Sequence, residues 1–280
     1  MRVGIGLPNT VPETAGDSIL GWARKAEELR FPSVGVLDRI VFDSYEPFVT
    51  LGAAAAVTDR VRLVTMIVIA PIRSTALLAK QAASLDRLSG GRLTLGVSIG
   101  AREDDYEATE IDPRRRGRRF SEQLATFRAQ WEEHAVGPRP ARDGGPELLV
   151  GGSSGQAFAR MARYADGYVH GGGPPRAFAG AAARARAAWS ELGRPDCPRL
   201  WGQGYFALGA EAVERGAEYL RRYYAFTGPF AEKIAAANLT SPQAVKDFVR
   251  GYEEAGCDDL VLLPTTSDLS QIDRLAEALG

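Results

Sequence analysis

Residues 60–100, RVRLVTMIVIAPIRSTALLAKQAASLDRLSGGRLTLGVSIG, constrain the fold of this chain more than any other stretch. Residues 61–70 are almost entirely apolar and rich in β-branched side chains, the pattern of a parallel strand buried on both faces. A helix is expected from about Ser74, because Leu78, Ala82, Leu85 and Leu88 recur at helical spacing and share one face. Gly90 and Gly91 end it, since glycine accepts the left-handed C-cap conformation at little cost. A second buried run over residues 93–97 then leads into Ser98, Ile99 and Gly100. Strand, helix and strand with so short a return turn make a right-handed parallel crossover.

The same alternation runs through the chain. Strands are expected at residues 3–7, 33–37, 61–70, 93–97, 147–150, 167–170, 200–208 and 260–263. Helices are expected at 18–29, 47–57, from 74, and at 120–131, 154–164, 175–192, 211–225, 229–237, from 242, and 270–279. Residues 101–119 are acidic, then arginine-rich, without periodicity; they read as a long loop over the barrel mouth, and loops 101–118, with Asp104, Asp105 and Tyr106, and 226–240 are expected to face the substrate. Residues 136–146 read as a Pro/Gly/Arg linker. Eight strands each followed by helix make an α/β chain of the (β/α)8 barrel type. Such a barrel needs roughly 250 residues, so the 280 present suit a single domain over 1–280. No internal repeat or domain-scale shift in composition interrupts it.

A net charge of −1 argues against a general nucleic-acid binder. Two cysteines, Cys197 and Cys257, make no disulfide framework, so a reducing, cytoplasmic setting is expected. The chain enters its first strand without a charged-then-apolar leader, and no apolar run approaches the roughly 20 residues of a membrane helix. Two distant cysteines and two distant histidines give no metal site.

In a barrel of this kind catalysis sits at the C-terminal ends of the strands. Those ends carry Asn9, Asp38 and Arg39, residues 66–70, Ser98 to Gly100, residues 151–153, and residues 170–173. Gly151, Gly152, Ser153 and Ser154 lie between a strand and its helix. Free backbone N–H groups at a helix N-terminus, with glycines allowing close approach, suit a phosphate, although an ordinary flexible turn has the same composition. Gly171, Gly172 and Gly173 stand ready to complete that cradle. His170 lies between the two turns, where the near-neutral pKa of a histidine would suit proton donation. Arg39 serves either as a rim salt bridge or as a contact to an anionic cofactor edge or substrate carboxylate. The run Arg114, Arg115, Arg116, Arg118 and Arg119 is either a solvated loop or a basic lip, and His134 is expected to be solvated beside a helix end.

Four segments carry a family resemblance: VLDR at residues 36–39, AKQAASLDRLSGGRLTLGVSIG ending at Gly100, LLVGGSSGQAFARMARYADGY from Leu148, and SPQAVKDFVRGYEEAGCDDLVLLP near the C-terminus. The chain resembles the bacterial-luciferase-like superfamily, whose members use FMN or the deazaflavin coenzyme F-420. The resemblance implies a TIM barrel of the luciferase-like type. It implies cofactor binding by Asp38, Met66, Ile67, Ile99, Gly100, Gly151, Gly152, Ser153, His170, Gly171 and Gly172, with catalytic roles for His170, Asp38 and Arg39. Many deazaflavin-using relatives have Asp-His where this chain has Asp38–Arg39, and arginine cannot shuttle a proton. The expected activity is hydride transfer between reduced F-420 and a small organic substrate, the basic lip meeting the anionic tail of the coenzyme. The alternatives are a two-component FMN monooxygenase served by a separate reductase, and a flavin-binding member without turnover. A homodimer is admitted; nucleic acid and membrane partners are not expected. Residues 61–70 make a run longer than the roughly five to six residues of a common strand, so a bulge is expected at the rim; the resemblance implies that it carries a non-prolyl cis peptide bond, at Met66–Ile67 or, second, at Thr65–Met66.

Overall fold

The strands pair in parallel around a ring that closes on itself. The computed structural model describes residues 1–133 and 135–280, so His134 lies outside the described residues. The first third of the chain gives β1 (Arg2–Gly6), α1 (Gly16–Glu28), β2 (Ser33–Val36), α2 (Pro47–Ala55), β3 (Arg62–Thr65), β4 (Val68–Ile69) and α3 (Thr75–Leu88). The middle gives β5 (Leu93–Ser98), α4 (Glu103–Ala108), α5 (Arg116–Glu132), β6 (Glu147–Gly151), α6 (Gly155–Tyr164), β7 (Gly167–Val169) and α7 (Pro175–Glu191). The remainder gives β8 (Arg199–Phe206), α8 (Ala210–Tyr223), α9 (Phe230–Ala236), α10 (Pro242–Glu254), β9 (Asp259–Pro264) and α11 (Ser270–Leu279).

The sheet runs β3-β2-β1-β9-β8-β7-β6-β5-β4, and β3 also pairs with β5. Because β3 and β4 both lie against β5, they are two halves of one barrel strand, and eight such positions close a (β/α)8 barrel. Helix starts follow local chemistry. Ser74, Ser154 and Ser241 each accept a hydrogen bond from the N–H three residues on, and Glu46 does the same ahead of Pro47. Among the described residues, no helix is long and apolar enough to cross a membrane.

Alternation along the strands divides the apolar interior in two. In β9, Leu260 and Leu262 pack outward under the helices with Trp22, Phe127 and Trp131, whereas Val261 and Leu263 point inward with Val64, Met66, Leu149 and Trp201. At the N-terminal end the inward positions become ionic: Arg2 and Arg199 meet Asp259 at 2.7 and 2.5 Å, and Arg62 meets Glu147 at 2.7 Å.

The third strand departs from the continuous run expected over residues 61–70. Val64 lies opposite Thr94 and Val68 opposite Val97, so the chain takes one more residue on this side than on β5. That surplus is a β-bulge. Thr65 secures it, its Oγ1 donating to Gly96 O at 2.7 Å and accepting from Gly96 N at 2.9 Å. A Cβ at Gly96 would stand 2.2 Å from Thr65 O, which is why the opposing strand has glycine there. The Met66–Ile67 peptide bond is cis, the first of the two positions expected.

Residues 101–119 also depart from the expected loop. They hold α4, a 3₁₀ turn at Pro113–Arg115 and the start of α5. An apolar period is missing because α4 buries a single large side chain, Tyr106, beside an acid, Asp105. The helix expected from Phe120 starts at Arg116, its first turn populated by arginines rather than by core residues.

Candidate active site

A cleft of ≈ 610 Å³ opens at the C-terminal ends of the strands. It is lined by Asp38 and Arg39 after β2, Met66 and Ile67 in the bulge, and Ile99 and Gly100 after β5. Gly151, Gly152 and Ser153 after β6 and His170, Gly171 and Gly172 after β7 complete that set. Residues from distant parts of the sequence thus share one cavity because each follows a barrel strand. Asn9 does not: its side chain is buried and tied to the backbone of Leu37 and Tyr45, fixing the loop after β2.

One wall is apolar. Met66, Ile67 and Ile69 present the bulge to the cavity, with Leu37 and Val169 beside them. Behind it Asp38 is fully enclosed. Its carboxylate accepts from Ile69 N at 2.8 Å and from both terminal nitrogens of Arg73 at 2.6 and 2.9 Å. Burial pushes the Asp38 carboxyl up from its ordinary range, and the Arg73 guanidinium and Ile69 amide pull against it.

Arg39 is held as firmly. Nε donates to Asp105 at 2.7 Å and Nη2 to Asp104 at 2.8 Å, while the second oxygen of Asp105 accepts from the amides of Ile40 and Val41. The catalytic roles expected of Asp38 and Arg39 meet a physical objection here. Asp38 would first have to leave the two-pronged grip of Arg73, and Arg39 its contacts to Asp104 and the buried Asp105, and breaking a buried pair is strongly unfavourable. Of the two readings of Arg39, the geometry is that of the salt bridge.

The glycine turns face the cavity from the opposite strands. Gly152 and Gly172 have φ of +131° and +94°, values L side chains rarely adopt. A Cβ on Gly171 would meet nothing within 4 Å, so this residue opens directly onto the cleft. Tyr168 OH lies 2.9 Å from Gly152 O and 3.2 Å from His170 Nδ1. The hydroxyl has one proton; donated to Gly152 O, it leaves oxygen lone pairs to accept from His170 Nδ1–H. A neutral ring in that tautomer carries its lone pair on Nε2, which is buried and has no partner among the described residues. Burial lowers the His170 pKa from its ordinary value, favouring the neutral ring over the protonated donor expected from the sequence.

The arginine run does not form a continuous lip. Arg114 pairs with Asp112, Arg118 with Glu122, and Arg119 donates to the carbonyls of Pro71 and Arg73. Arg116 is the member that lines the cleft, together with Arg160 from α6. Arg160 donates to Ser121 Oγ and Gly117 O, both at 2.8 Å.

Sequence reasoning did not single out Arg73, Arg160, Gln203, Tyr223 or Tyr224, and it put substrate contacts on residues 101–118 without naming Arg102. Arg73 had a signal, standing just past the end of the long strand. Arg160 sits two turns into a helix whose N-terminus had been singled out. Tyr223 and Tyr224 close α8 far from any strand end, and nothing local marks them.

Comparison with known proteins agrees with this geometry. A family model described as luciferase-like monooxygenase matches residues 1–256. An uncharacterised protein of Mycobacterium tuberculosis is 36% identical over 163 residues, 53% of this chain and 56% of that protein. The matched stretch therefore spans about half the length of that curated relative. Among solved structures, the monooxygenase RslO1 from Streptomyces bottropensis superposes with a TM-score of 0.79 at 24% identity, over 100% of this chain and 96% of its own. An F-420-dependent secondary alcohol dehydrogenase, solved with an F-420–acetone adduct, also has a TM-score of 0.79, at 17% identity over 99% and 97% of the two chains. At such identities both show the shared fold.

Proposed function

The chain belongs to the luciferase-like monooxygenase family, and on that premise we propose that it is an oxidoreductase that binds reduced coenzyme F-420 and acts on a small organic substrate. One observation carries this reading. A single cleft combines an apolar bulge, two glycine turns of which Gly171 opens directly onto it, and two arginines, Arg116 and Arg160, that have no acid partner among the described residues.

The residues present fit a flat, phosphate-bearing cofactor. Gly171 leaves open space where a side chain would intrude, and the turns at 151–153 and 171–172 offer amide N–H groups to an anion. Among the described residues, Arg116 and Arg160 have no carboxylate within ion-pair distance, so their charge is available to a polyanion. When bound, the deazaflavin supplies a hydride donor or acceptor. Met66 and Ile67 would back its ring and keep water from that face. In this reading a neutral His170 would accept a proton at Nε2, the Tyr168 hydroxyl holding the ring in the tautomer that keeps its lone pair there. The Asp38–Arg73 pair fixes the loop after the bulge.

A second reading, an FMN monooxygenase fed by a separate reductase, is favoured by one observation. Acids already neutralise Arg114 and Arg118, which leaves few cations for an extended anionic tail. Titration of the purified protein with F-420 and with FMN decides between them. F-420 should bind more tightly, with an affinity that falls as salt screens the arginines, and Arg116→Ala should flatten that slope. Binding of FMN without F-420 would transfer the assignment to the second reading. Binding of neither would end both.

A further inference from the structure

A second part of the cleft is built from aromatic rings around one cation. Arg102, beyond β5, is 6% exposed and lines the cavity. Its guanidinium lies 4.2 Å from the ring centroid of Tyr223 and 4.5 Å from that of Phe226, and Nη2 donates to Tyr223 O. Nε is buried without an acceptor, and among the described residues no carboxylate comes within ion-pair distance of the group. The acids that follow it in sequence are engaged elsewhere: Asp104 and Asp105 hold Arg39, and Asp105 also takes the amides of Ile40 and Val41.

A buried guanidinium lacking a counter-charge is expensive unless something supplies one. Aromatic faces compensate part of that cost but cover only the flat sides of the group; Nε is enclosed and Nη2 serves Tyr223 O, so an incoming anion would meet the terminal nitrogens end-on. A guanidinium edge matches a carboxylate, two donors to two oxygens. The surroundings are apolar: Phe226 is half exposed at the mouth, and Phe42 stacks edge-on against Tyr223 at 5.2 Å.

The geometry points to a substrate that carries a carboxylate on an apolar body, with Arg102 as the residue that receives the anion. What the substrate undergoes rests on the oxidoreductase reading above; its charge does not. Arg102 is thus a specificity residue, selecting the acid over the neutral amide or ester of the same skeleton.

The test uses the whole chain without cofactor, and 2-naphthoate and 2-naphthamide as probes, titrated by calorimetry. The acid should bind on the order of tenfold more tightly than the amide, a gap that narrows in salt as for a charge-assisted contact. Arg102→Gln keeps a donor for Tyr223 O but no charge. It should erase the gap while leaving amide binding as it was. Equal affinities in the unaltered protein, or a gap that survives Arg102→Gln, would overturn the proposal. Should Arg102→Gln fail to fold, Arg102→Lys decides the point: a compact ammonium cannot make the two-pronged contact, so the gap should shrink several-fold, and an unchanged gap would overturn the assignment. Because no cofactor is present, failure of F-420 to bind would leave this result standing, and the converse holds equally.

Discussion

At the N-terminal mouth of the barrel, Arg2 and Arg199 share Asp259, Arg199 also reaches Asp258, and Arg62 holds Glu147. At the C-terminal mouth, Arg102, Arg116 and Arg160 line a cleft with no acid partner among the described residues, and His170 Nε2 is buried without a bond. The same strands supply both ends. The difference lies in how far the charges find complements inside the chain: at one end each of these arginines reaches an acid, whereas at the other Arg39 and Arg73 do so and Arg102, Arg116 and Arg160 do not, among the described residues. Ion pairing completed within the fold contributes to stability. Polar groups left incomplete in a concave, partly apolar setting are those a bound molecule satisfies.

If that contrast is right, changes at the two ends should separate binding from stability. The largest effect is expected from Gly171→Val. The glycine accepts a Cβ with nothing within 4 Å and has no left-handed backbone, so the barrel should fold and the added side chain should fill the cleft. Cofactor affinity should drop on the order of 100-fold, about 3 kcal/mol, with the melting temperature nearly unchanged. Gly152→Val is a poorer probe, since its Cβ would stand 2.7 Å from that of Ala157 at φ +131°. Normal affinity in a folded Gly171→Val protein would show that the ligand does not approach this turn.

A smaller effect, of the opposite kind, is expected from Asp259→Asn. Removing this enclosed carboxylate strands two arginines whose side chains remain 47% and 39% exposed, so solvent offsets part of the loss. Urea denaturation should show a cost of about 1–2 kcal/mol, between the figures for exposed and buried pairs, while cofactor titration stays as before. A binding defect without a stability defect would break the contrast between the two mouths.

The smallest effect concerns pH. Burial lowers the His170 pKa, so the unfolded chain takes up this proton more readily than the folded one. The contribution of His170 is fully present above the ordinary histidine value of about 6.5 and is lost as pH falls through the lowered folded value. His170→Gln should therefore show a shallower decline in melting temperature between neutral and mildly acidic pH. An identical decline in both proteins would mean the ring is not desolvated.

Much of the fold was legible because its signals are local. Strand and helix periods, serine caps and glycine stops each act over a few residues, and together they gave the eight-fold alternation. The bulge was legible for a related reason: a buried run longer than an ordinary strand must surrender a residue somewhere. The linear pattern misled at residues 101–119, where α4 is too short and too polar to show a period, and in the arginine run, which looked uniform but divides among exposed ion pairs, backbone carbonyls and the cleft. The site was legible only as a set of strand ends, a consequence of barrel geometry rather than of any one residue.

By itself, then, the sequence determined the elements, their order and the rim on which chemistry could sit. The tertiary structure decided which charges remain free there. Asp38 takes Arg73 from 35 residues away, Arg39 takes Asp105 from 66, and Arg62 takes Glu147 from 85. Periodicity follows from the regular rise of the backbone and can be read along the chain. Ion pairing needs two side chains within a few ångströms of each other, and only closure of the barrel brings these partners that near while leaving Arg102 with aromatic rings in place of an acid.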